Sequence, residues 1–419
     1  MRVLAVEPTH RGSGGLDRLD WIEELGVELF VLHGLGEPGY WPAHRHRIVG
    51  SRHIDDIVAA ARDWHREQGF VGAFTLVEAG VVAVAAVADA LGLPGIGLAA
   101  ARASRNKLLM RLGHRQAGAP HPEFRLVTTL PEALAAAGEV GYPAVLKPTL
   151  GAASNFVFRV DGPEQVRELF PLADEGSRSM PAITAEVDGL DLGPAGLLLE
   201  SYLDGSEHLI EACIWDGEVY LGSIVDRLEA EGASIDENVH CAPSSLTPDQ
   251  VARVRAAVEA GARGQGLRHS VLQVEVRFHG DRPYLVEIGA RPGGGGLDRM
   301  ARLSAGYDPM RCLVDVAVGR RPALRHYQPT DVHTAAMVLL SPGGRVERVD
   351  VPDDLTEAAE VFLFRLSVKP GDVIRRPPDG NDIVGFLGTI GPIRADALKA
   401  LKDLAGRTKV QVAPVATPI

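Results

Sequence analysis

Two carboxylates in one stretch of the chain are spaced to face each other across a hairpin. In the run VLQVEVRFHGDRPYLVEIGARPGGGG, residues 271–296, Glu275 and Glu287 alternate with apolar residues on either side of a turn centred near Asp281. Pairing the two strands around that turn sets Glu275 opposite Glu287, with a Cβ separation of about 4.5–5.5 Å at which like charges repel. A bound cation is the simplest reason to keep them there, and all-oxygen ligands suit Mg²⁺. The alternative is a solvated acidic face with Arg277 as a neighbour.

The same register also closes an apolar face, so both faces of the hairpin are satisfied at once. Its apolar pairs are Val276 with Val286, Val274 with Ile288, and Phe278 with Tyr284. Arg291 and a glycine run follow within ten residues of Glu287. A fixed positive charge and free backbone amides therefore lie beside the predicted metal site.

Two lysines and a loop of small residues upstream have the chemistry of a phosphate site. Lys107 lies in the first turn of a helix predicted over 104–118, where a cation is mildly disfavoured unless it meets an anion. Lys147 ends a predicted strand, and the loop that follows contains Gly151 and Ser154. Backbone amides and a hydroxyl in such a loop can contact phosphate oxygens. A solvated helix lysine and a plain hairpin are the alternative interpretations.

A strand end and the residues after it have the pattern expected for binding a planar base. The predicted strand ends at Glu200, and Ser201, Tyr202 and Leu203 follow in extended conformation. Their side-chain and backbone groups can face the edge of a base, with Glu207 in reach of the attached sugar. Otherwise these glutamates are ordinary strand-end charges.

The polar stretch 226–245 is predicted to be a long loop, since it lacks periodicity and contains glycine and proline. A loop of this length is usually functional or disordered. Glu237 and His240, three residues apart, could contact a substrate ammonium or carboxylate. A solvated loop is the alternative.

Composition excludes several classes of protein. The chain has 419 residues, 46% of them hydrophobic, and a formal net charge of −12, which argues against general affinity for nucleic acid or anionic membranes. The most apolar run, 80–101, contains Asp89 and Pro94, so it predicts a buried Ala/Val-rich helix and not a membrane span. The three cysteines lack metal-binding spacing, which favours free thiols in a reducing cytoplasm.

The elements that must position these residues fall into a predicted α/β and α+β fold. Strands alternate with helices over the first hundred residues, which predicts a parallel, Rossmann-like α/β unit. Short β-rich runs after residue 322 predict a separate small C-terminal unit. The predicted domains are 1–103, 104–195, 196–322 and 323–419.

Taken in order, these residues resemble the ATP-grasp superfamily, and more specifically the carboxylate–amine ligases typified by bacterial L-amino acid ligases. The resemblance covers nearly the whole chain. It implies a two-part nucleotide-clamping domain between the N-terminal α/β domain and the β-rich C-terminal domain. No single motif carries it; the ordered combination does.

The resemblance also implies a role for each matching position. ATP contacts are implied for Lys107, Lys147, Gly151, Ser154, Glu200, Ser201, Tyr202, Leu203 and Glu207. Glu275 and Glu287 would hold Mg²⁺, which Mn²⁺ can replace. Arg291 would be the catalytic residue, stabilising negative charge on an acyl phosphate and a tetrahedral intermediate. The implied substrate residues are Glu237, His240, Arg291 and Gly294.

Three positions depart from the family pattern. The loop after Lys147 has one glycine, Gly151, where the family often has three or more. Gly289 stands where many members carry an asparagine metal ligand, and Gln273 replaces a common histidine. We expect the first two departures to weaken phosphate contacts and to leave the metal with fewer protein ligands.

The function implied is an ATP-dependent ligase that forms an amide through an acyl phosphate and releases ADP. Its partners would be small carboxylates and amines, most simply amino acids, and no nucleic acid or membrane. A homodimer is the default assembly. The alternatives are another reaction of the superfamily, of the carboxylase or formyl-transfer type, or a non-catalytic ATP-binding protein.

Overall fold

The strands of the computed structural model form four sheets, three antiparallel and one parallel. The structure describes residues 1–7, 16–36, 39–151, 154–179, 187–228, 239–352, 355, 357–376 and 382–414. This mixture confirms the predicted α/β and α+β class. No helix in the described ranges is long and apolar enough to cross a bilayer. All three cysteines are free and buried, as predicted.

The N-terminal part is a parallel four-stranded sheet with apolar helices on both faces, as the alternation of strands and helices predicts. Its strands, in the order β3-β2-β1-β4, are β1 Arg2–Val6, β2 Glu28–His33, β3 His46–Ile48 and β4 Ala73–Phe74. Its helices are α1 Leu16–Glu24, α2 Ile54–Gln68 and α3 Val81–Leu91, with short 3₁₀ turns at Ala43–Arg45 and Glu78–Gly80.

The apolar run 80–101 forms a buried helix, as predicted, but that helix ends before the run does. The chain forms α3, which ends at Gly92, and then a second helix, α4 Gly97–Arg105. Gly92 adopts a left-handed conformation, φ +67°, that ends the first helix. Pro94 follows two residues later, and it cannot continue the helix.

An antiparallel four-stranded sheet follows, in the order β5-β8-β6-β7. Its strands are β5 Phe124–Val127, β6 Ala144–Pro148, β7 Phe158–Val160 and β8 Leu197–Ser201. The accompanying helices are α5 Lys107–Gln116, α6 Leu130–Val140 and α7 Pro163–Ser179. Helix α5 begins at Lys107 because the Asn106 side chain caps it, accepting from the amides of Leu108 and Leu109.

The central element is an antiparallel eight-stranded sheet, in the order β13-β12-β9-β10-β11-β14-β18-β16. Its strands are β9 Glu207–Trp215, β10 Glu218–Leu228, β11 Val239–Ala242, β12 Ser270–His279, β13 Arg282–Gly289, β14 His333–Leu339, β16 Val361–Leu366 and β18 Gly385–Gly391. Helix α8, Pro248–Gly264, packs on one face, and helices α9 Leu297–Ala305 and α10 Pro309–Ala317 pack on the other. Glu275 and Glu287 lie on the same face of the sheet as helices α9 and α10.

The C-terminal strands join this central sheet. Three of them, β14, β16 and β18, extend it beyond β11, while β15 Gly344–Asp350, β17 Val373–Ile374 and β19 Lys409–Ala413 form a separate small sheet. A helix that the sequence did not predict, α11 Arg394–Arg407, packs on β14 and β18. The sheet thus runs across the predicted boundary at residue 323, and the division into domains stays a prediction.

Candidate active site

The hairpin of β12 and β13 sets Glu275 directly opposite Glu287, as predicted, and also Val274 opposite Ile288 and Gln273 opposite Gly289. Beyond Glu275 the predicted register is wrong. Val276 pairs with Leu285 and Phe278 with Pro283, because a bulge adds Val286 to β13.

The backbone carbonyl at the bulge is hydrogen-bonded by a side chain from another element. The carbonyl oxygen of Val286 accepts a hydrogen bond of 2.7 Å from Arg111 Nη2. The unpaired backbone group that the bulge creates is therefore satisfied by a side chain from helix α5.

The pKa values of the two carboxyl groups differ because only Glu287 has a cation in direct contact. Burial, together with the charges of Glu287 and Glu207, raises the pKa of Glu275 to about 7. Burial acts in the same direction on Glu287, but the adjacent Lys107 ammonium outweighs it and lowers the pKa of Glu287. The pair therefore holds a proton that a divalent cation would displace.

Lys107 lies in the first turn of α5, and its ammonium group points toward the glutamate pair of the hairpin. Its Nζ atom lies 3.0 Å from Glu287 Oε2, and its backbone amide donates to Thr149 O at 2.8 Å. Lys107 thus links the start of α5 to the residue after strand β6, through its backbone, and to the hairpin, through its side chain. The anion that Lys107 contacts is Glu287.

Lys147 and Glu200 form a buried ion pair on neighbouring strands, with Lys147 Nζ 2.7 Å from Glu200 Oε2. Arg111 approaches the other carboxylate oxygen, with Nε 2.7 Å from Glu200 Oε1. Burial raises the pKa of Glu200, but these two cations hold it at about 2; burial lowers the pKa of Lys147. Strand β8 also runs one residue past Glu200, where the sequence predicted its end.

The residues predicted to bind the base lie at the end of strand β8 and directly after it. The amide of Ser201 donates to Glu123 O at 2.9 Å, and that of Tyr202 to Pro143 O at 3.2 Å. Leu203 is buried. These amides are therefore engaged by the chain itself, and the base-reading role of Ser201–Leu203 stays a prediction.

Glu207 begins strand β9 between two arginines on the adjacent strands. Its carboxylate lies 2.6 Å from Arg227 Nη1 and 3.8 Å from Arg277 Nη1. The guanidinium groups of Arg277 and Arg159 lie 5.0 Å and 4.5 Å from the ring centroid of Tyr202. This end of the site is strongly cationic, which suits a polyphosphate or a nucleotide.

Arg291 is held by a glutamate from the N-terminal domain that the sequence analysis did not single out. Arg291 Nε donates to Glu78 Oε2 at 2.8 Å, and Arg105 Nη1 donates to Glu78 Oε1 at 3.4 Å. Glu78 is buried in the 3₁₀ turn that precedes helix α3. The available signal was a carboxylate standing at the head of the most apolar run in the chain.

A second missed carboxylate, Glu211, supports the glycine run. It lies on the same face of β9 as Glu207, and its Oε1 atom accepts a 2.7 Å hydrogen bond from the amide of Gly293. Burial and the charge of Asp298 raise the pKa of Glu211 to about 8. Arg18 pairs with Asp298 at 2.7 Å and also donates to Gly293 O. The alternation along β9 was the signal that could have found it.

The loop after Lys147 is described at its ends, and residues 152–153 lie outside the described residues. The carbonyl of Gly151 accepts from Lys107 Nζ and from Arg105 Nη1, each at 3.4 Å. Ser154 is exposed, with a left-handed backbone at φ +54°. Gly151 therefore contacts Lys107, and the phosphate contacts of Gly151 and Ser154 stay predictions.

The predicted substrate residues are not all brought together. His240 pairs in register with Arg227 on β10, in the same row as Glu207, and burial lowers the pKa of His240 to about 3. Gly294 is exposed in the glycine run beside Arg291. Glu237 lies outside the described residues. The substrate roles of all three stay predictions.

Glu275 and Glu287 are the two carboxylates that could hold a metal ion in this site. In the described part of the chain, no group of three or more His, Cys, Asp or Glu side chains is arranged to hold an ion. Glu275 and Glu287 nevertheless supply the hard oxygen ligands that Mg²⁺ takes, and Mg²⁺ commonly completes its shell with water and phosphate oxygens. The donor set therefore fits Mg²⁺ bound together with a nucleotide.

Comparison with known proteins identifies two parts of the chain. Residues 140–298 match the model of the ATP-grasp domain, and residues 337–413 match L-amino acid ligase C-terminal domain 2. The solved structure of an L-amino acid ligase from Bacillus licheniformis has the same fold, with a TM-score of 0.84 at 21% identity over 98% of both chains.

Two curated relatives cover different shares of their own lengths. Alanine–anticapsin ligase of Bacillus subtilis (strain 168) is 27% identical over 90% of this chain and 84% of its own length. Carnosine synthase 1 of Homo sapiens is 30% identical over 67% of this chain, which spans about a third of that protein, 34%. With both models matched and the fold shared, the chain contains an ATP-grasp domain over residues 140–298 and L-amino acid ligase C-terminal domain 2 over residues 337–413.

Proposed function

We propose that the protein is an ATP-dependent ligase that joins an amino-acid carboxylate to an amine and releases ADP and phosphate. One observation carries this proposal: Glu275 and Glu287 face each other on the central sheet, with Lys107 bound to Glu287 and Arg291 four residues further along the chain. This arrangement combines a divalent-cation site, a phosphate-binding cation and an anion-stabilising guanidinium along one hairpin.

Glu275 and Glu287 would hold Mg²⁺ between them. When bound, the ion neutralises charge on the phosphate oxygens of ATP. Lys107, which already lies against Glu287, would turn toward the same phosphates. Lys147 would remain with Glu200 and add positive charge at the nucleotide end, where Tyr202 and Glu207 would bind the base and ribose.

Phosphoryl transfer needs positioning and charge neutralisation more than a protein nucleophile. A carboxylate oxygen of the acyl donor attacks the γ-phosphorus of ATP, the bond to the β–γ bridging oxygen breaks, and ADP leaves. The nitrogen of the amine then attacks the acyl carbon, phosphate leaves with the electron pair, and the nitrogen loses a proton. Arg291 would stabilise the negative charge that grows on the acyl phosphate and on the tetrahedral intermediate.

Glu78 and Glu211 would prepare this end of the site. Glu78 fixes the direction of the Arg291 guanidinium, and Glu211 fixes the amide of Gly293 in the glycine run. Gly294, exposed next to Gly293, would contact the substrate. A site held in place from two sides loses little free energy to reorganisation when charge develops.

Amino acids are the proposed substrates. The relatives named alanine–anticapsin ligase and L-amino acid ligase support amino acids as acyl donors. The three free, buried cysteines support a reducing compartment, and we propose the cytoplasm.

The direct experiment measures ADP release with Mg-ATP and pairs of L-amino acids, and identifies the product by mass. We expect ADP release above background with at least one pair, a product mass equal to the two amino acids minus water, and loss of both with Glu287→Ala. If no pair releases ADP, or if Glu287→Ala leaves the rate unchanged, the ligase proposal fails. A carboxylated or formylated product would instead support another reaction of the superfamily.

A further inference from the structure

An apolar cavity of about 310 Å³ lies between the N-terminal parallel sheet, helices α3 and α10, and the ends of β9 and β12. Helix α3 contributes Val81 and Ala85, α10 contributes Val316, and the central sheet contributes Trp215 and Val271. None of the nucleotide-binding or metal-binding residues proposed above lines it.

The cavity is lined by residues of the two chain segments that carry Arg291 and Glu78. Val271 is on the same face of β12 as Glu275, four residues and about 13 Å away along the strand. Ala290 lines the cavity and immediately precedes Arg291. Thr75, another lining residue, is three residues before Glu78, which accepts the hydrogen bond from Arg291. Two walls of the cavity therefore continue into the residues that hold Arg291.

The walls favour an uncharged, apolar occupant. No Lys, Arg, Asp or Glu is among the described residues that line the cavity. Its threonine, serine and histidine side chains already have partners: Thr75 Oγ1 donates to Glu7 O at 3.0 Å, and Ser270 Oγ donates to Val271 O at 2.7 Å. His269 Nε2 lies 2.9 Å from Asp216 Oδ1. A charged group placed here would lose its hydration without gaining a partner.

The volume indicates the size of the occupant. An engineered apolar cavity of about 150 Å³ binds benzene. A cavity of about 310 Å³ is therefore large enough for a bicyclic aromatic ring.

We propose that this cavity is a binding site for an uncharged apolar group of up to the size of an indole ring. The group has two chemical sources. It is either the apolar side chain of an amino-acid substrate whose polar end lies at Arg291, which rests on the proposed ligase function, or a free small molecule that acts through the Arg291–Glu78 pair.

The first test measures binding of indole to the full-length protein by calorimetry, without ATP. We expect one saturable site with a dissociation constant of about 1 mM or below. Ala85→Phe fills the cavity from α3, so it should weaken binding at least about tenfold. The matched control is Ala86→Phe, whose neighbouring position packs away from the cavity against the N-terminal core, and binding should stay within about twofold.

Thermal unfolding establishes which variants are folded. If Ala85→Phe does not fold, Val316→Trp, which fills the same cavity from α10, replaces it in the test. Absence of saturable indole binding to the unmodified protein overturns the proposal. Unchanged binding in the folded cavity-filling variants overturns it as well. Because these measurements use no nucleotide, they give the same answer whether or not the ligase proposal holds.

The kinetic arm distinguishes the two sources. If a substrate side chain occupies the cavity, indole competes with leucine, phenylalanine or tryptophan, and Ala85→Phe raises their KM at least about tenfold while that of alanine stays unchanged. If a free molecule is the occupant, indole changes kcat for alanine and tryptophan alike and is not competitive with either.

Discussion

The ammonium nitrogen of Lys107 lies 3.0 Å from Glu287, the carboxylate that faces Glu275 across the hairpin. The lysine stabilises one ionised carboxylate, while the other, with its pKa raised to about 7, keeps a proton near neutrality. A divalent cation can replace that proton and relieve the repulsion between the pair. The charges of this site thus suit a metal and a nucleotide that bind together.

Replacing Lys107 tests its dual role. Lys107→Met removes the cation that holds Glu287 ionised and that would meet the phosphates, so we expect kcat/KM for ATP to fall about 100-fold. The assay is ADP release at saturating amino acids. Lys402→Met, at an exposed position of α11, is the matched control and should be unchanged. A loss of less than about threefold in Lys107→Met would contradict a phosphate-binding role.

Replacing Glu78 tests whether the N-terminal domain positions Arg291. Glu78→Gln weakens the charge-assisted bond to Arg291, and we expect kcat to fall about 10- to 100-fold with the KM for ATP within about twofold. Glu67→Gln, in an exposed ion pair at the end of α2, serves as the control. A KM for ATP that rises as much as kcat falls would indicate a misassembled nucleotide site instead.

Replacing Arg111 tests the buried charges beneath the nucleotide site. Arg111→Met leaves Glu200 with one cation and the bulge carbonyl of Val286 without its donor, so the free energy of unfolding should drop by about 3 kcal/mol. Denaturant unfolding measures this drop. Adding Glu200→Gln should lower the free energy of unfolding further, because the buried Lys147 ammonium then loses the carboxylate with which it pairs. Arg115→Met, exposed one turn later, should cost under about 1 kcal/mol.

Glu211 gives a pH dependence with a defined sign. Its pKa rises from an ordinary value of 4.5 to about 8 through burial and Asp298, with Arg18, Arg291 and the Gly293 amide opposing. Between these values the folded protein binds a proton that the unfolded chain does not, so raising the pH lowers stability by about 1.4 kcal/mol per pH unit.

Glu211→Gln stays neutral and keeps an acceptor for the Gly293 amide. The difference in unfolding free energy, variant minus unmodified protein, should therefore increase steadily from about pH 5 to pH 8. Urea unfolding at each pH measures it, and taking the difference cancels the other titrating groups. A difference that is flat with pH would show that Glu211 is ionised in the folded protein.

The pairing of Glu275 with Glu287 across the β12–β13 hairpin could be predicted because it depends on residues that are close together in the sequence. Alternation and a tight turn fix which residues of β12 and β13 face each other near Glu275. The bulge could not be predicted, since Leu285 and Val286 are both apolar and the pattern tolerates either of them opposite Val276. What decides between them is Arg111, which lies 175 residues away along the chain.

Glu78 and the contacts of Arg111 could not be predicted from the sequence for the same reason. Glu78 reaches Arg291 across 213 residues, and the spacing of residues along a chain does not encode such a contact. Arg111 was visible as the residue one helical turn after Lys107, but its partner was not. The joining of β14 to β11 likewise depends on pairing between distant strands, which made the C-terminal part look separate.

The central proposal is that a carboxylate of the substrate attacks ATP and becomes an acyl phosphate. An amino acid labelled with ¹⁸O in its carboxylate, incubated with Mg-ATP and the amine partner, tests it directly through ³¹P NMR of the released phosphate. We expect one ¹⁸O atom in each phosphate, because the attacking oxygen leaves with phosphorus when the amide forms. Product formed with no ¹⁸O in the phosphate would contradict an acyl phosphate and with it the assigned role of Arg291.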